Sequence, residues 1–430
     1  MKRYWIVLLC CLPVVALADV SLQVTKGVHG ALPIGVEHFV AQGSVKTGDL
    51  SSIIADDLEN SGQFDVMRVD GKAPATDIFW QQEKVNAVLR GQVSAQGNNQ
   101  YQVEYVLTAA YTNPSEKAQD NQAAFGVDSG TVLAEGQFLV SQADLRTTAH
   151  RISNQIYQKL LGEKGPFLSR LAFVSVKHLD GNRVQFQLMV SDYDGQNASI
   201  VYTSPEPILT PAWSPDGSSL VFVAYNLGRS AVYLDDLKNK SLRVLTQFPG
   251  VNIAPRFSAD GKTVYMSLAR EAGVNIYALN LASGALAAVT QGLSVKTSAV
   301  PLNAQSFYLT STSGGSPQVY RCNSATQAFS RVSFDGDATM APDYRAGTLV
   351  YLQRNGSDYQ IMRFKGGESE SVSAKGQIFP GTLSPNAHMM VYGRMINGQR
   401  RLVLTSLDSA HQVLLPALDG DLRYPVWSWS

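Results

Sequence analysis

Few side chains in this sequence stand at spacings that chemistry would need. The six histidines fall at 29, 38, 150, 178, 388 and 411, with no His-x-His and no Glu-flanked pair of the kind that grips zinc. Gly314-Gly-Ser-Pro-Gln318 sets a serine after glycines but lacks the closing glycine of a nucleophile elbow, so it reads as a hairpin turn. Asp192-Tyr-Asp-Gly195 begins like a calcium loop, since two carboxylates one residue apart can share a cation. The later acid of the EF-hand spacing is missing, and a turn after a strand explains the segment more simply. The residues therefore predict no catalytic group, no metal and no cofactor.

What must be positioned is a repeat. Thr210-Pro-Ala-Trp-Ser-Pro-Asp-Gly217 recurs as Ala254-Pro-Arg-Phe-Ser-Ala-Asp-Gly261, with weaker echoes around Ser298, Met340, Phe379 and Tyr424. Anchors at Pro211, Pro255, Ala299, Ala341, Pro380 and Pro425 are 44, 44, 42, 39 and 45 residues apart, the length of a four-stranded propeller blade. In each unit Ser-Pro-Asp-Gly or its echo makes a tight turn: Pro presets φ, Asp bonds its own backbone and Gly takes positive φ. The aspartates are thus turn formers rather than a carboxylate array. Runs rich in β-branched and aromatic residues follow, such as Leu220–Tyr225 and Ala231–Leu234. Five units are whole. Three strands before Pro211 (Arg170–Val176, Gln185–Ser191 and Ser199–Thr203) lack a first strand, and the segment after Pro425 lacks the other three. Pairing the two ends predicts a sixth blade and a six-bladed ring closed by the C-terminal strand.

The repeat is absent before residue 163. Asp49–Asn60 carries Leu50, Ile53, Ile54 and Leu58 at helical spacing, with Gly62 as a stop. Ala143–Leu161 does the same with Leu145, Ile152, Ile156 and Leu160. Between them strands are expected at Ala87–Val93, Tyr101–Leu107 and Leu133–Val140, after earlier ones at Val20–Val24 and Leu32–Phe39. Thr112–Asp128 reads as a polar loop. The organisation is a signal peptide at 1–18, an α/β domain at 19–162 and the propeller at 163–430.

Lys2 and Arg3 precede an apolar stretch that ends in Ala16-Leu17-Ala18, so cleavage after Ala18 and export to the periplasm are expected. Cys10 and Cys11 leave with that peptide and Cys322 remains alone, so no internal disulfide can form. Of the 430 residues, 45% are hydrophobic and 16% charged, which provides for a core and argues against disorder. Lys+Arg and Asp+Glu are balanced at 35 each, so nothing drives nucleic-acid binding by phosphate neutralisation. Past the N-terminus no stretch is apolar enough to span a membrane.

Taken together, these segments resemble the TolB family of the Tol–Pal envelope system. The carriers are Leu32-Pro-Ile-Gly-Val36, Ile53-Ile-Ala-Asp-Asp-Leu-Glu-Asn-Ser-Gly-Gln-Phe64, Gly91-Gln-Val93, Val190-Ser-Asp-Tyr-Asp-Gly195, Pro211-Ala-Trp-Ser-Pro-Asp-Gly217 and Gly228-Arg-Ser230. The resemblance spans the mature chain. It implies a non-enzymatic scaffold, peripheral to the envelope, that supports outer-membrane integrity and constriction during division. Its implied partners are the lipoprotein Pal, TolA, and bacteriocins that exploit the system. The competing reading is a propeller enzyme or a small-molecule-binding propeller with its site in the central channel.

Two sites follow from the resemblance. The alternating segment Asp19, Val20, Ser21, Leu22, Gln23, Val24 and Thr25 would engage TolA. On its own the alternation reads as a strand, pairing within the protein or with a partner's sheet edge. Pal would sit at one mouth of the ring. Repeat arithmetic places Thr210, Ala254, Ser298, Met340, Phe379 and Tyr424 on that rim, and the family-like segments add Val251, Asn252, Pro255 and Thr297. Family members can carry His where this chain has Val251.

Overall fold

The computed structural model describes residues 30–42, 49–69, 76–110, 127–270, 273–326 and 328–429. The expected signal peptide, the Asp19–Thr25 segment and most of the Thr112–Asp128 loop lie outside them. The described N-terminal elements are β1 (Leu32–Glu37), β2 (Val40–Gln42), α1 (Leu50–Asn60), β3 (Phe64–Val69), α2 (Asp77–Gln82), β4 (Ala87–Gly97), β5 (Gln100–Ala109), β6 (Val132–Ser141) and α3 (Leu145–Leu161). The strands form one mixed sheet in the order β3-β1-β4-β5-β6, with β2 beside β4. Strand β1 runs parallel to both neighbours, while β4, β5 and β6 are antiparallel.

Local chemistry explains the helix ends. Asp49 caps α1 by accepting from the Ser51 backbone N–H at 3.0 Å. Gly162, at φ 79°, ends α3 in the left-handed region that a residue without Cβ takes readily. Helix α2 and strands β2 and β3 were not expected from the sequence, and the strand expected over Leu32–Phe39 stops at Glu37.

The rest of the described chain is six four-stranded antiparallel sheets. In blade one, β7 (Arg170–Leu179), β8 (Arg183–Asp192) and β9 (Ser199–Ser204) are completed by the closing strand Asp421–Trp427, which pairs antiparallel to β7. That is the expected ring closure, and it gives blade one four strands like the other five. The turn at Ser214–Gly217 is built as its residues dictate. Gly217 N donates to Ser214 O at 2.9 Å, and Asp216 Oδ1 accepts from Ser218 N at 3.0 Å.

One apolar core runs through both domains. Ile152, Ile156 and Tyr157 of α3 pack with Leu58 of α1 and with Phe173, Tyr193, Met389, Val391 and Trp427 of the propeller. Ring contacts chain Tyr157 to Phe167, Phe167 to Tyr193 and Tyr193 to Trp427, at centroid distances of 5.7, 5.5 and 6.2 Å. Polar bonds frame this seam: Gln63 to Asp408 at 3.1 Å, Asn386 to the Lys164 carbonyl at 3.3 Å, and His388 to Glu163 at 2.9 Å.

Candidate partner-binding mouth of the propeller

The innermost strands are Ile208–Trp213, Asn252–Phe257, Lys296–Pro301, Ala338–Arg345, Ile378–Leu383 and Asp421–Trp427. Each one breaks register with its neighbour at the same place. The shifts fall between Leu209 and Ala212, Ile253 and Arg256, Thr297 and Val300, Met340 and Asp343, Phe379 and Gly381, and Arg423 and Val426. A bulge leaves residues unpaired and turns the strand, which re-aims the side chains that follow.

Five of the bulges contain a residue other than glycine in the left-handed region: Thr210 (φ 43°), Ala254 (51°), Ser298 (55°), Ala341 (50°) and Tyr424 (52°). Such a conformation costs an L-residue roughly 1–2 kcal/mol, and for β-branched Thr210 it is a genuine outlier. In blade six Pro380 and Gly381 take the place of that residue. A Cβ on Gly381 would stand 2.0 Å from the Val391 carbonyl oxygen, so the innermost strand touches its neighbour there.

These bulges surround a cavity of about 140 Å³ lined by Thr210, Pro211, Ala254, Pro255, Arg256, Ser298, Ala341, Pro342, Pro380, Gly381, Thr382, Tyr424, Pro425 and Val426. Prolines follow the strained residue in four blades, and their missing N–H suits a backbone that has left its ladder. Deeper in, Arg256 and Asp343 form an ion pair at 3.4 Å, and Asp343 Oδ2 also accepts from the Leu383 N–H at 2.8 Å. At the rim the Arg400 guanidinium lies 3.8 Å from the centroid of the Phe379 ring. Burial and the neighbouring Arg423 hold the Arg400 pKa below its usual value. The lining holds neither histidine nor cysteine. Its Ser298 and Tyr424 hydroxyls, proline faces and Arg256 suit recognition of another surface.

Thr210, Ala254, Pro255, Ser298 and Tyr424 are brought together as the repeat arithmetic expects. Two expectations need correction. Met340 is not the equivalent of Thr210; the register shift and the positive φ both assign that position to Ala341, with Pro342 after it. Asn252 is fully buried, and its amide is consumed in its own loop. It accepts from the Phe248 N–H at 3.1 Å and donates to the Phe248 carbonyl at 2.7 Å, so it shapes the mouth without reaching a partner. Val251, Thr297 and Phe379 are part-buried near the strand entrances, outside the cavity lining. Pro211, Arg256, Ala341, Pro342, Pro380, Gly381, Thr382, Pro425 and Val426 were missed as site residues. The Ala341-Pro342 dipeptide, matching Thr210-Pro211 and Ala254-Pro255, was the available signal.

Two family models match the chain, one described as the TolB beta propeller domain over residues 157–430 and one as the TolB amino-terminal domain over residues 20–113. A Tol-Pal system protein TolB from Hamiltonella defensa subsp. Acyrthosiphon pisum (strain 5AT) is 37% identical over 243 residues, covering 55% of this chain. The match spans 52% of that relative, about half its length. The crystal structure of TolB from Acinetobacter baumannii aligns with a TM-score of 0.81 at 26% identity, over 95% of this chain and 98% of that one.

Proposed function

The chain belongs to the TolB family, and on that premise we propose that it is a non-enzymatic periplasmic adaptor of the Tol–Pal system. In this reading the propeller mouth binds Pal, and Asp19–Thr25 binds TolA by adding a strand to a partner's sheet edge. The protein thereby serves outer-membrane integrity and constriction during division. The observation that carries the reading is the ring of strained residues and prolines around one concave mouth. Five left-handed residues at equivalent positions are a costly and specific shape, and strain of this kind collects at binding sites. Among the described residues no helix is long and apolar enough to cross a membrane, which accords with a peripheral protein.

A pull-down from envelope extract with the tagged mature chain tests the class. Recovery of Pal supports the adaptor; recovery of no envelope protein returns the channel-ligand reading. Deleting Asp19–Thr25 should abolish TolA binding with the propeller's melting temperature nearly unchanged. Intact TolA binding after that deletion refutes the assignment of the segment.

A further inference from the structure

The seam between the domains holds a second polar cluster, remote in kind from the mouth. His150 on α3 is 3% exposed. Its Nδ1 lies 3.0 and 2.8 Å from the two carboxylate oxygens of Asp57 on α1. From the propeller side the Tyr193 hydroxyl donates to Asp57 Oδ1 at 2.6 Å and holds that carboxylate in place. The other ring nitrogen, Nε2, is buried without a hydrogen-bond partner. Beside the imidazole stand Asp192, the last residue of β8, and Asp194 in the turn that follows. A ligand atom from each of His150, Asp192 and Asp194 lies within 4.8 Å of the other two.

A buried imidazole nitrogen without a partner is costly, and here it shares its surroundings with two acids. With Nδ1–H donated to Asp57, Nε2 presents a lone pair. This is how metal-binding histidines are held, one nitrogen for the metal and the other N–H on a carboxylate. We propose that His150 Nε2, Asp192 and Asp194 form a binding site for a divalent transition metal of the zinc class, which clamps the N-terminal domain to blade one. Imidazole with two carboxylates fits that class, whereas calcium takes oxygen ligands throughout. Tetrahedral ligation with bonds of ~2.1 Å spaces ligand atoms ~3.4 Å apart, so the three side chains close by roughly an ångström on binding. Water fills the remaining position.

Arg146 is the competitor. Its Nε donates to Asp192 Oδ2 at 3.1 Å, and its Nη2 donates to Asp194 Oδ2. Asn197 also donates to Asp192 Oδ2, at 2.8 Å, and the Gln196 N–H donates to Asp194 Oδ1 at 3.1 Å. Both described hydrogen bonds to the Asp192 carboxylate thus use Oδ2, and Oδ1 remains for a metal. The guanidinium and the metal neutralise the same two charges, so removing the first should strengthen the second. A seam built only as an ion pair would loosen on losing Arg146 and gain no affinity for metal.

The test is calorimetric titration of the tag-free full chain with Zn2+, with Co2+ absorption as a second readout of imidazole ligation. We expect one site per chain and a rise in melting temperature with Zn2+. Affinity should fall about tenfold or more in Asp192→Asn/Asp194→Asn, rise in Arg146→Gln, and hold in His388→Gln, which removes a histidine outside the cluster. Circular dichroism establishes that each variant is folded, and Asp194→Asn alone serves if the double variant is not. The proposal is overturned if neither the parent nor Arg146→Gln binds one Zn2+ per chain. It is equally overturned if the Asp→Asn change leaves affinity unaltered, or if His388→Gln abolishes binding.

Discussion

The guanidinium of Arg345 donates to the main-chain carbonyls of Trp427 at 2.9 Å and Ser428 at 3.1 Å, tying blade five to the strand that closes the ring. Arg345 also stacks over Trp429, 4.6 Å from the ring centroid. Burial lowers its pKa to about 10, offset in part by Asp343, so it stays cationic at neutral pH. A charged hydrogen bond contributes about 1.5–3 kcal/mol, and leaving a buried carbonyl without a partner costs about 1–3 kcal/mol. Arg345→Leu should therefore lower unfolding free energy by about 3 kcal/mol in urea titration. A loss below about 1 kcal/mol would mean that the latch is incidental.

Rim variants should discriminate the corrected register. Ala254→Asp and Thr297→Trp put charge or bulk at the mouth without entering a blade core, and each should weaken Pal binding by more than about 1.4 kcal/mol, a tenfold change. Ala341→Asp should do likewise, whereas Met340→Ala should leave the affinity within about twofold. If Met340→Ala is the damaging change, the blade-five assignment is wrong; if Ala254→Asp and Thr297→Trp both bind as the parent does, Pal binds elsewhere.

The backbone of the mouth has opposite tolerances in different blades. Gly381→Ala drives a Cβ to 2.0 Å from the Val391 carbonyl and 2.6 Å from the Tyr392 Cβ, and should cost about 3 kcal/mol. Thr210→Gly relieves a β-branched residue at φ 43° and removes a buried hydroxyl with no partner. Strain relief of roughly 1–2 kcal/mol outweighs the greater chain entropy of glycine, so stability should hold or rise. Paired thermal melts decide both.

Stability should also carry a pH signature from the seam. The hydrogen bond to Asp408 raises the pKa of His388 against the opposing effect of burial, with the charges of Asp408 and Glu163 adding to the rise. A raised folded pKa stabilises fully below the unfolded value of 6.5, and that contribution is lost as pH rises through the folded value. For Asp408, burial acts upward, but hydrogen bonds and charge from His388 and Arg363 prevail and its pKa is lowered. Its contribution is present above 3.8 and disappears as pH falls through the folded value. Urea midpoints should drop as pH rises above 6.5, and His388→Gln should flatten that limb. A parent profile already flat there would refute the coupling.

The propeller was legible because its signals are local. Ser214-Pro-Asp-Gly217 specifies a turn by itself, and recurrence at blade length does the rest. Helix α2 was lost because six residues, Asp77–Gln82, carry too little periodicity, although Thr76 caps it by accepting from the Phe79 N–H at 3.2 Å. The anchor slipped at Met340 because Ala341 was matched to Pro211 where Pro342 is its equivalent, and a slip of one moves every side chain to the other face. The seam was illegible for a different reason. Asp57, His150 and Tyr193 are 93 and 136 positions apart in their bonded pairs, and a scattered histidine gains a meaning only when folding supplies its neighbours.

Pairing Asp421–Trp427 with β7 also orders events in time. About 240 residues separate Leu179 from Asp421, so this pairing has the largest sequence separation of any in the propeller and forms late, after the local hairpins. Until then β7 presents a full row of unsatisfied amides and carbonyls, the template on which another chain can grow. The newborn protein therefore has its longest vulnerable period at the edge it seals last, and a holding chaperone that masks residues 170–179 would serve it better than one directed at any later blade.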